Sequence, residues 1–112
     1  MRRPVIALLC VCALLSTAPG GALAAGAAGK PVTHHVVIDG LKYEPETVTV
    51  RRGDTIIWTN KDPFPHTVTA PGKFDSHDIA AGASWKYVAR SVGQYDYICT
   101  LHPNMKGTLR VE

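Results

Sequence analysis

The chain has 112 residues, with 12 Lys and Arg against 9 Asp and Glu, a formal charge of +3 and a 46% hydrophobic composition. That length allows one small domain with a single modest core. The weak net charge and the lack of a basic cluster argue against a nucleic-acid partner.

The N-terminus opens on Arg2 and Arg3, runs through an unbroken apolar stretch from Val5 to Leu15, and reaches a small-residue pattern at Ala22, Leu23 and Ala24. This is the layout of a secretory signal peptide over residues 1–24. The apolar stretch is shorter than the ~20 residues that a membrane span needs. Cleavage near Ala24 removes 24 of the 112 residues, with both arginines, and leaves a nearly neutral chain of 88. The expected product is periplasmic, monomeric and without a membrane span. Residues 25–33 read as a flexible lead-in and residues 34–112 as the folded domain.

From His34 onward the pattern is that of short strands: "HHVVID", "TVTV", "TIIWTN", "HTVTA", "SWKYVAR", "GQYDYIC" and "GTLRV". Val48 with Val50, Ile56 with Trp58, Trp85 with Tyr87, and Tyr95 with Tyr97 and Cys99 alternate with other residues, as on strands with one buried face. Turn residues separate these runs: Asp39-Gly40, Gly53-Asp54, Pro71-Gly72, Ala81-Gly82 and Val92-Gly93. The segment at 51–53 reads as a hairpin turn. Only "SHDIAAG", residues 76–82, has room for a helical turn. The expected fold is all-β, a Greek-key sandwich or barrel of about eight strands.

Cys10 and Cys12 leave with the leader, so Cys99 is the single cysteine of the mature chain. An unpaired thiol in an oxidising compartment is inert, paired between chains, or bound to something. Cys99 closes a strand, and His102 and Met105 follow at intervals of three in what reads as a short loop before Gly107. His66 stands at the end of a loop stiffened by Pro63 and Pro65. A Greek-key sandwich can bring the two segments together. One thiolate, two imidazoles and one thioether then make a soft donor set, which selects copper in a type 1 arrangement. Structural zinc more often takes four strong ligands.

"WTNKDPFPHTV" and "GQYDYICTLHPNMKGTLRV" resemble the cupredoxins, small type 1 copper proteins, and the short ligand loop is most similar to the amicyanins within the plastocyanin-like group. The resemblance covers about residues 34–112. It implies one copper ion per chain held by His66, Cys99, His102 and Met105, and single-electron shuttling between Cu(I) and Cu(II). It also implies redox partners such as a c-type cytochrome or a periplasmic dehydrogenase or reductase. The partner would dock on an apolar patch around His102 formed by Phe64, Pro65, Leu101, Pro103 and Met105, with Lys61, Lys73 and Lys106 around it.

The chain departs from that family at three positions. Thr67 replaces the Asn that commonly follows the first ligand histidine and ties the ligand loops together. Leu101 stands where amicyanins favour proline, and Asn104 is polar. The same site could serve a periplasmic copper carrier or sink, but carriers favour open, methionine-rich sites. A copper enzyme would need a second metal centre, which His34, His35 and His77 do not form. His34 and His35 are adjacent on a strand and point to opposite faces. No nucleophile with a base and an orienting group is present, so no enzymatic activity is expected.

Overall fold

The computed structural model describes residues 29–112. The leader, residues 1–24, and positions 25–28 of the lead-in lie outside the described residues. The chain folds into β1 (Thr33–Asp39), β2 (Lys42–Glu44), β3 (Thr47–Val50), β4 (Thr55–Asn60), β5 (Thr69–Ala70), β6 (Phe74–Asp75), β7 (Ser84–Val88), β8 (Gly93–Cys99) and β9 (His102–Val111). One sheet has the order β2-β1-β4-β7 and the other β3-β9-β8-β5-β6. The β1/β4 and β3/β9 pairs are parallel. The architecture is the all-β sandwich expected, with nine strands among the described residues.

Alternation decides which faces meet. Along β4, Ile56, Trp58 and Asn60 are buried while Thr55, Ile57 and Thr59 are partly exposed. Along β8, Tyr97 and Cys99 are buried. The two inner faces close around Trp58, which has no exposed surface and donates its indole N–H to Tyr97 Oη at 3.2 Å. Tyr43 meets Tyr97 edge-on at 4.8 Å between ring centres. Buried aromatic rings with satisfied polar ends pack this way because ring edges are attracted to ring faces. Trp85, Tyr87 and Tyr95 pack against this core while staying partly exposed. Tyr97 lies opposite Gly107 on β9, and a Cβ at Gly107 would collide with the Tyr97 ring.

Three local expectations fail. The 51–53 turn joins strands of different sheets, because β3 pairs with β9 and β4 with β1 and β7; it is a corner, not a hairpin. Residues 76–82 make no helical turn. Ile79 instead forms a backbone bridge with His66, and His77 takes a left-handed φ of 55°. His102 and Met105 sit on β9, because that strand begins at His102 directly opposite Cys99. Only Thr100 and Leu101 remain as the turn.

Candidate metal centre

The centre lies where β8 and β9 meet the segment between β4 and β5. A register shift at Ile98 and Cys99 breaks the regular ladder just where the thiol must leave it. Cys99 Sγ is fully buried, 3.6 Å from His66 Nδ1 and 3.8 Å from His102 Nδ1. One ligand atom from each of His66, Cys99 and His102 lies within 4.8 Å of the others. The two imidazole rings are 5.0 Å apart. Met105 is buried on β9, three residues past His102, and borders the same cleft. The four side chains are thus arranged as a type 1 copper site. The thiol also receives the Thr67 N–H at 3.3 Å. The donor set fits copper on its own chemistry.

Asp62 fixes the first histidine. Its Oδ2 accepts His66 Nε2–H at 2.7 Å, so Nδ1 keeps its lone pair and faces Cys99. The same carboxylate accepts the amides of Gly40 at 2.8 Å and Leu41 at 3.0 Å. Burial pushes its pKa up, but the Leu41 and Gly40 amides, together with His66, outweigh this and hold it below the usual carboxylate range. Asn60 shapes the rest of the loop. Its amide donates to the Phe64 and Ile79 carbonyls, and its Oδ1 accepts the Asp62 N–H, all at 2.9 Å. The His66 backbone is held from the other side by Ile79, with amide-to-carbonyl bonds of 3.2 and 2.7 Å.

Thr67 ties the two ligand segments together. Its Oγ1 accepts the Thr100 amide at 2.9 Å, and its carbonyl accepts the Tyr43 hydroxyl. The rim is apolar: Leu41, Phe64 and Leu101 are exposed at 45%, 39% and 47%. A cleft of about 370 Å³ is lined by Leu41, Leu101, His102, Pro103, Asn104 and Met105. Asp62 and Leu41 are the residues that sequence reasoning missed. The Asp-x-x-x-His spacing of "DPFPH" was a readable signal for Asp62. Nothing local signals Leu41, which arrives from the β1–β2 turn.

The remaining histidines stay apart from this cluster. His34 pairs with Asp54 at 2.9 Å, at the opposite end of β4 from Asp62. His35 is exposed. His77 is 86% exposed and 3.7 Å from Asp75.

The family model for the Cupredoxin-like domain matches residues 5–111. Amicyanin-alpha of Methylorubrum extorquens is 32% identical across 95% of this chain and 98% of its own length. Amicyanin of Paracoccus denitrificans is 33% identical across 93% and 92%. Among solved structures, an oxidised amicyanin variant superposes with a TM-score of 0.69 at 30% identity, covering 71% of this chain and 82% of its own. A purple cupredoxin from Nitrosopumilus maritimus superposes with 0.68 at 26% identity, covering 70% and 99%. Fold and site therefore define a small type 1 copper protein of the electron-transfer class. The chain belongs to the cupredoxin family, and its similarity runs to the amicyanins and plastocyanins within it.

Proposed function

We propose that this protein is an exported, periplasmic carrier that takes one electron from one redox protein and delivers it to another, with His66, Cys99, His102 and Met105 as its copper ligands. The observation that carries this reading is the closed cluster itself: a buried thiol facing two Nδ1 atoms, with a thioether beside it. When bound there, copper supplies a one-electron Cu(I)/Cu(II) couple. The chain's own residues do the rest. Asp62 orients His66, Asn60 and Ile79 hold its loop, and the Thr67–Thr100 bond keeps the two ligand segments in register. A donor set held this firmly needs little rearrangement when the charge at its centre changes.

Electrons enter and leave at the His102 edge. His102 is partly exposed within the apolar rim of Leu41, Phe64, Leu101 and Pro103. A small apolar contact suits a brief encounter with a c-type cytochrome or a periplasmic dehydrogenase or reductase. Lys61, Lys73 and Lys106 bias it toward acidic partners. Among the described residues no helix is long and apolar enough to cross a membrane. The leader pattern supports export through residues 1–24.

The test is the visible and EPR spectrum of the mature chain with one equivalent of Cu(II), beside Cys99→Ser. An intense blue band with narrow copper hyperfine splitting, absent in the variant, is expected. An ordinary tetragonal signal in the unmutated chain would reject the reading.

A further inference from the structure

Thr67 begins a line of side chains that leads away from the metal centre. Its Oγ1 lies 3.2 Å from the Thr100 hydroxyl and 3.0 Å from the Thr69 hydroxyl. Thr69 donates to Asp75 Oδ1 at 3.0 Å. Asp75 closes β6, has a side chain 44% exposed, and also accepts the His77 amide at 2.8 Å. Thr67 and Thr69 are themselves buried, so water does not compete for their hydroxyls.

Each hydroxyl owns one proton, and an ionised carboxylate only accepts. The Thr69 proton is therefore committed to Asp75. The Thr69 oxygen then accepts the Thr67 proton, and the Thr67 oxygen accepts from the Thr100 amide and hydroxyl. All the O–H groups point one way, with hydrogens toward Asp75 and lone pairs toward the Cys99–His102 turn. Hydrogen bonds aligned in a row polarise one another. An Asn at position 67 would bring a donor and an acceptor already fixed on one amide. A threonine hydroxyl rotates freely, so something outside it must set its direction.

We infer that Asp75, acting through Thr69 and Thr67, is a positioning residue for the copper centre: it orients a row of hydroxyl dipoles whose negative ends face the ligand turn and hold the reduction potential down. This rests on the copper reading above. Negative ends near the metal favour the more highly charged oxidised ion.

The test is a double-mutant cycle on the reduction potential of the copper-loaded protein, after the blue band has been recorded. Asp75→Ala, which removes the acceptor, and Thr69→Val are each expected to raise the potential, and the double variant to rise no further than the larger single change. Thr69→Ser, which keeps the hydroxyl, should stay at the wild-type value. Asp78→Ala removes a neighbouring exposed carboxylate outside the row and should shift it less than Asp75→Ala. In the copper-free protein, hydrogen exchange at the Thr100 amide should quicken in Asp75→Ala and Thr69→Val, but not in Thr69→Ser.

Additive shifts, or equal shifts from Asp75→Ala and Asp78→Ala, would overturn the inference. Missing blue colour in the unmutated chain would overturn the copper reading instead, and Thr100 exchange in the copper-free protein would then decide whether the row exists.

Discussion

The two ends of β4 carry the same device for different ends. Before the strand, Asp54 accepts the amides of Val32 at 2.9 Å and Arg51 at 3.0 Å and pairs with His34 Nε2 at 2.9 Å. After it, Asp62 accepts the amides of Gly40 and Leu41 and pairs with His66 Nε2. The two carboxylates are separated by a six-residue strand, roughly 20 Å. Both are buried, each holding two backbone amides and one imidazole. The difference lies in the second ring nitrogen. His66 is fully buried and turns Nδ1 to a thiol, whereas His34 is 26% exposed and borders an open cleft with Lys30, Arg52 and Glu112. An Asp–His pair is thus a structural clasp at one pole and part of a metal centre at the other. Its chemistry comes from what the histidine faces, not from the pair.

The largest expected effect comes from breaking each clasp in turn. Asp62→Ala leaves a buried imidazole and two amides unpartnered and should cost about 2–4 kcal/mol in urea unfolding, with a changed blue band in the copper form. Asp54→Ala should cost less, about 1–2 kcal/mol, because His34 can turn to water. Its blue band should match wild type. Equal spectral changes in both variants would erase the distinction between the poles.

Acid sharpens the contrast next. The Val32 amide, His34 and the Arg51 amide lower the Asp54 pKa to about 2, against ~3.9 for a free aspartate. A depressed carboxylate contributes stability that is complete above the unfolded value and lost as pH falls toward the folded one. Urea midpoints should therefore fall between about pH 4 and pH 2, and Asp54→Asn should flatten that fall. An equally steep fall in the variant would assign the acid sensitivity elsewhere.

The smallest effect should be seen only with a partner present. Leu101→Glu places a charge on the apolar rim and should slow electron exchange with an acidic redox partner about tenfold, without moving the unfolding midpoint. The same substitution at exposed Val92 should leave exchange unchanged, since Val92 borders the opposite cleft.

Much of this was legible in residue patterns. Alternation in "TIIWTN" and "YDYIC" predicted the inward faces that the structure shows. The intervals between Cys99, His102 and Met105, with His66 after its proline loop, singled out the four side chains that the fold brings together. What escaped depends on contacts distant in sequence. The two-residue strands β5 and β6 have too little length for a period to show. The start of β9 at His102 depends on pairing with Cys99 across a two-residue turn, and "HPNM" has neither alternation nor strong strand formers to announce it. The twin roles of Asp54 and Asp62 need tertiary folding, since their backbone partners Val32, Gly40 and Leu41 lie more than twenty residues away.

Leu41 also bears on how the rim can change over evolutionary time. It occupies a left-handed φ of 63°, next to Gly40 at 62°, in the two-residue turn that Asp62 grips. Branched residues such as Val, Ile and Thr are strained there, and proline is forbidden. Of the apolar positions around His102, this one can explore the fewest side chains, while Phe64 and Leu101 lie outside that left-handed constraint. A lineage acquiring a new redox partner would rewrite the face at those two positions and keep the turn.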